Sequence, residues 1–145
     1  MTWITKLAYQ RDLAAHQRRI FDLEVSELWR SLRIRMGNCA DSYERMYPHA
    51  QHHVLAQWDA NHDVFKCSAP DANGAYNDEK WRVTLTRNDS VIKASYSTSR
   101  PEIQLVVGRA EDGHAVLQSG GSEISLDEAT ERILRPILFD DLPEA

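Results

Sequence analysis

Candidate metal ligands crowd together at one place in this sequence. His49, His52 and His53 precede Asp59, His62 and Asp63. Zinc requires three or four nitrogen, sulfur or oxygen donors converging at about 2.0–2.3 Å. His49 and His52 could converge in a turn, but His52 and His53 point to opposite faces of a strand, and His62 falls at the far end of the same hairpin. No HExxH spacing is present. These residues suit a polar strand entrance better than a metal centre, and no metal or cofactor is expected.

Nucleophilic chemistry is no better specified. Cys67 and His52 fall near each other on one face of a hairpin, but on the apolar face, where a cysteine is neutral and inert. Cys39 has no evident partner. Ser119-Gly120-Gly121-Ser122 precedes a helix start, which could bind an anion, yet Asp127, Glu128 and Glu131 in the following helix would repel one. The acidic pairs Glu111-Asp112, Asp78-Glu79 and Asp140-Asp141 lie in loops or tail, with nothing to hold an acid and a base at a fixed distance. No catalytic residue is assigned.

Binding is better supported. Arg30, Arg33 and Arg35 surround Trp29 near the end of a long helical pattern, a composition enriched at protein interfaces. The same residues could stack on bases and grip phosphates. The net charge of −5 argues against a nucleic-acid partner. Charge is unevenly spread: residues 1–47 carry +2 and residues 48–145 carry −7, so the two parts could attract each other within or between protomers. Trp58, Phe65, Trp81, Tyr96 and His52 could line a small-ligand pocket between sheet and helices.

The elements that position these residues follow from periodicity. Leu7, Ala14, Phe21, Val25, Leu28, Leu32 and Met36 recur at helical spacing, predicting a helix over 6–36 that stops at Gly37-Asn38. Leu32 to Met36 also alternates, so that stretch could instead be extended. About 30 residues of helix span about 45 Å, more than one face of a small domain needs. Asp41-Ser42 could cap a separate short turn, Tyr43 to Tyr47.

The period then changes to two. His52 to Trp58 and Asp63 to Ala69 form a hairpin, with Trp58 opposite Asp63 and Ala56 opposite Phe65. Trp81 to Arg87 and Ser90 to Tyr96 form a second, turning at Asn88-Asp89. Val83, Leu85, Ile92 and Ala94 share its core face. Ile103 to Gly108 and His114 to Ser119 form a third, whose faces do not sort, implying a bulge or cover on both sides. Gly120-Gly121 ends the last strand. Ser125-Leu-Asp-Glu128 is a capping box opening a helix over 125–136, which Pro136 kinks or ends near 135. A frayed tail is expected over 140–145.

At 145 residues, with 42% hydrophobic and 27% charged residues, the chain is long enough for one domain with a real core. The fold class read here is α+β: a two-layer sandwich over 1–145, a six-stranded antiparallel meander covered on one face by a long N-terminal and a short C-terminal helix. Frataxin-like and secretion-chaperone-like folds share this outline, which covers topology only and carries no function. No apolar run reaches the ~20 residues of a membrane span, and two scattered cysteines fit a reducing cytoplasm. The expected function is a non-enzymatic protein-binding or chaperone-like adaptor acting as a homodimer with an unknown protein partner. The alternative is a small-ligand-binding domain or modest enzyme.

Overall fold

The computed structural model describes residues 2–47, 54–68, 82–98 and 100–139. Its elements are α1 (Trp3–Met46), β1 (Leu55–Asp59), β2 (Val64–Ser68), β3 (Arg82–Asn88), β4 (Val91–Tyr96), β5 (Ile103–Arg109), β6 (Ala115–Ser119), β7 (Ser122–Ile124) and α2 (Leu126–Leu138). The strands form one antiparallel sheet in chain order. Both helices pack on one face, so the α+β two-layer architecture holds, with seven strands in place of six.

Helix α1 is longer than its periodicity predicts. Thr2 caps it, its hydroxyl accepting from the Thr5 N–H at 3.3 Å. The helix then runs for 44 residues without a break. Gly37-Asn38 does not stop it, residues 32–36 are helical rather than extended, and the segment after Asp41-Ser42 is its last turn rather than a separate one. The cause is burial on both sides of the glycine. Met36 and Ala40 are both buried, and Tyr43 packs edge-on against Phe139 at 5.4 Å. That packing outweighs the penalty of about 1 kcal/mol for a mid-helix glycine. Trp29, Leu32 and Met36, each at most 1% exposed, contribute about 1.5–3 kcal/mol apiece through removal from water.

The sheet faces follow the period-two reading, while two registers differ by two residues. In the first hairpin Trp58 pairs with Phe65 and Ala56 with Cys67. Asp59 stays in the strand because its carboxylate accepts the backbone N–H groups of Asn61 and His62 at 3.1 and 3.3 Å. Asp63 then turns the chain at φ 53°. In the second hairpin Asn88 pairs with Val91, so the turn is Asp89-Ser90, with Asp89 at φ 53°. A slip of two leaves every side chain on its expected face. Val83, Leu85, Ile92 and Ala94 are at most 1% exposed.

The third hairpin needs neither bulge nor double cover. Val107 pairs with Leu117; Leu105, Val107 and Leu117 point inward and are buried, while Val106 faces out. Gly120 and Gly121, at φ 60° and 84°, do not end the sheet. Both residues have the left-handed conformation of a tight two-residue hairpin, and they turn β6 into β7. Ile124 there extends the row from Leu117.

Helix α2 starts as expected. The Ser125 hydroxyl accepts the Glu128 N–H at 3.1 Å. It does not end at 135: Pro136 lies inside it, buried together with Leu134 and Ile137. The Tyr96 hydroxyl donates to the Ile133 carbonyl at 2.6 Å, pinning the helix to β4. Near the helix end, proline forfeits one bond that flanking apolar burial outweighs.

An added methyl group at Gly37 would meet nothing within 4 Å, and the residue is helical. Gly37→Ala should therefore raise stability by about 0.5–1 kcal/mol, read as a higher urea midpoint at unchanged slope. A lower midpoint would mean that the middle of α1 is not helical in solution.

Candidate functional site

Among the described residues, none packs against the first part of α1 closely enough to bury a side chain there. Buried positions begin at Val25, and residues 3–20, eighteen residues or about 27 Å of helix, form an arm extending past the sheet. Trp3 is 72% exposed, and Ile4, Leu7, Tyr9, Leu13 and Ile20 are exposed too. These side chains lie on two opposite faces. Trp3, Ile4, Leu7 and Ala14 continue the stripe that farther along buries Val25 and Trp29. On the far side Tyr9, Leu13, His16, Ile20 and Leu23 recur at spacings of four, three, four and three. The inner stripe is visible in the sequence. The outer one is masked in the sequence by His16, which interrupts it, although its spacing is a heptad signal in its own right.

A polar clamp fixes the arm where it leaves the body. Both oxygens of Glu24 engage the β5–β6 connection: one accepts the Ala115 N–H at 2.6 Å and the other lies 3.2 Å from the His114 ring. The Ala115 bond first, and His114 second, hold this carboxyl below its ordinary value. The Arg109 guanidinium sits over the Phe21 ring at 4.7 Å.

The four residues read as an interface have mostly internal duties. Trp29 is buried, and its indole N–H donates to Asp63 at 2.8 Å. Arg33 stacks over the Trp58 ring at 3.6 Å and lies 5.4 Å from the Trp29 ring. Burial lowers its pKa from the ordinary arginine value, Asp63 opposing the shift. Arg35 pairs with Asp127 of α2. Arg30 is exposed to solvent. The cluster joins α1 to the rest of the chain.

Of the residues read as a ligand pocket, Trp58 and Phe65 are cross-strand partners. Phe65 is buried, Trp58 is 40% exposed at the sheet edge, and Tyr96 is tied to α2. His52 and Trp81 lie outside the described residues, as do His49 and His53. Among the described residues no three histidine, cysteine or acidic side chains gather as a metal site. A cavity of about 610 Å³ instead opens between the helices, lined by Cys39, Tyr43, Met46, Leu134, Leu138 and Phe139 among others. Among the described residues no helix is long and apolar enough to cross a membrane.

Compared with protein-family models, with curated proteins and with solved structures, the chain matches none.

Two predictions follow from this geometry. A carboxyl whose pKa falls on folding adds stability above its unfolded value, and that contribution disappears as pH drops through the folded value. Glu24→Gln should therefore lower the thermal midpoint at neutral pH, with the gap to the native chain closing as pH falls below 4.5, the ordinary value of this carboxyl. A pH-independent gap would show that the charge is not what holds the clamp.

Burial pushes the Cys67 thiol up to about 12, whereas Cys39 is exposed. One thiol should react with a disulfide reagent in the folded chain and two after denaturation. Two fast thiols in the folded state would contradict the inner-face placement of β2.

Proposed function

We propose that this chain is a non-enzymatic protein-binding module, an adaptor or chaperone-like accessory subunit that works as a homodimer in a reducing cytoplasm. The carrying observation is the arm: eighteen helical residues with exposed Trp3, Ile4 and Leu7. Isolated helices of this length are marginal in water, so the arm gains stability when its apolar faces are covered. The inner stripe supplies a helix-in-groove ligand with anchors at three- and four-residue spacing. Arg11 and Arg18 punctuate that stripe, so the complementary groove is apolar with acidic residues at its rim. Free Cys39 and Cys67 suit a reducing compartment.

A second reading, small-ligand binding, draws on the apolar groove between α1 and α2. A metabolite seated there would raise the unfolding temperature. The arm plays no part in that reading, which separates the two.

The test compares the native chain with the Trp3→Ala/Leu7→Ala variant as baits in an extract of the native cell. The native chain should retain a protein that the variant loses, with the unfolding midpoint of the body unchanged. Equal retention by both, or none by either, would overturn the assignment of the inner stripe as the docking element.

A further inference from the structure

We infer that the outer face of the arm pairs antiparallel with the same face of a second copy of this chain, forming a short two-stranded coiled coil with the bodies at opposite ends. The inference deepens the homodimer part of the function proposed above and rests on it. It starts from Tyr9, Leu13, His16, Ile20 and Leu23, whose spacing is that of a heptad seam. This seam lies on the side of α1 away from the sheet, and Tyr9, Leu13, Ile20 and Leu23 are between 42% and 68% exposed. Glu27 and Arg30 break the pattern above the body, so the seam is confined to the arm and its root.

Three observations select the second copy as occupant and set its direction. The first is charge. One antiparallel register places Tyr9 against the partner's Ile20 and Leu13 against the partner's His16, each twice, and lays the Lys6 stem along the partner's Leu23. The same register sets Asp12 beside the partner's Arg19 on both sides of the two-fold axis, with Gln10 beside the partner's Gln17. Opposite charges meet and no like charges do.

The second is the failure of the alternatives. Sliding the pair by one heptad brings Arg19 against the partner's Arg19. A parallel pair stacks Lys6 on the partner's Lys6 and Glu27 on the partner's Glu27. Its one opposite-charge pair, Arg19 with the partner's Glu24, shares a carboxylate that already accepts from Ala115 and lies against His114. Like charges facing each other set register and partner choice in coiled coils.

The third is length. The favoured register puts residue 3 level with the partner's residue 26, beside Val25, the first fully buried position of α1. Each arm is thus covered along its whole extent and stops where the other body begins. Eighteen residues paired along one face lie at the small end of specific interfaces, about 1,200 Å² in total, so the dimer dissociates on dilution. The inner stripes remain uncovered in this arrangement and available for the protein partner.

The test is sedimentation velocity of the full chain over a dilution series, with charge exchange. The native chain should show a reversible dimer. Asp12→Arg and Arg19→Asp should each weaken it by roughly tenfold, because two favourable pairs become two repulsive ones. The double variant Asp12→Arg/Arg19→Asp should restore native association, which excludes misfolding as the cause of the single effects. A chain that stays monomeric at every concentration overturns the inference. So does a dimer indifferent to the single exchanges, or a double variant no better than the singles, the outcome a parallel pair gives. A monomer that still captures a protein through Trp3 and Leu7 rejects the pairing and leaves the adaptor reading standing; a charge-sensitive dimer that captures nothing does the reverse.

Discussion

The indole N–H of Trp29 is the contact that ties the two layers together. A donor buried this deeply must find an acceptor or forfeit about 1–3 kcal/mol, and Asp63 provides it. That carboxylate also accepts from Arg87 of β3 at 3.3 Å, so a single side chain from the β1–β2 turn joins the roof helix to the neighbouring strand. Its position explains the local chain path. Asp63 takes the left-handed conformation, the turn closes one step later than residue type suggests, and Trp58 comes edge-on to Trp29 at 6.2 Å. Arg33 then covers the exposed side of Trp58. The tryptophans, the arginines and the turn are consequences of one polar group placed inside an apolar seam.

Away from that seam the sheet obeys a simpler rule, which is why so much of it can be read from residue order. One side of each central strand is apolar and the other carries Lys66, Thr84, Lys93 or Gln104, so the inward set follows from alternation alone. Register is set by turn geometry, and turn geometry depends on which acid accepts which backbone N–H, a detail that alternation does not encode. Errors of two residues are therefore harmless to the faces, as Val83 and Leu85 demonstrate. Errors of element count are different. Gly120-Gly121 has the composition of a terminator and the geometry of a hairpin, and only the room beside β6 for Ile124 decides between them.

The helices were harder because their breakers are local and the forces overriding them are distant in sequence. Gly37 is spanned by α1 since Met36 and Ala40 are buried in the core on either side of it, and Pro136 sits within α2 because Leu134 and Ile137 are buried there too. The candidate site shows a related limit. Trp29 with Arg30, Arg33 and Arg35 has the composition of an interface, but three of the four are engaged inside the chain. The exposed outer stripe, Tyr9 to Leu23, looks ordinary in composition and is distinguished only by its spacing and its exposure among the described residues. Burial, which residue types do not report, separates the two. Pocket candidates His52 and Trp81 fall outside the described residues, while Phe65 and Tyr96 have structural tasks.

The order of the strands has a bearing on how the molecule is made. Every strand bonds only to its neighbours along the chain, so the sheet can zip up through a succession of short loop closures, each of small entropic cost. The roof cannot. Arg35 must meet Asp127, 92 residues later, before the two helices are joined. A ribosome adds about 5–20 residues per second, so the part of α1 that α2 covers waits for roughly 5–20 s before its partner is made. Helix α1 is thus sheltered in stages, Trp29 by Asp63, 34 residues later, and Arg35 by Asp127 only 92 residues later.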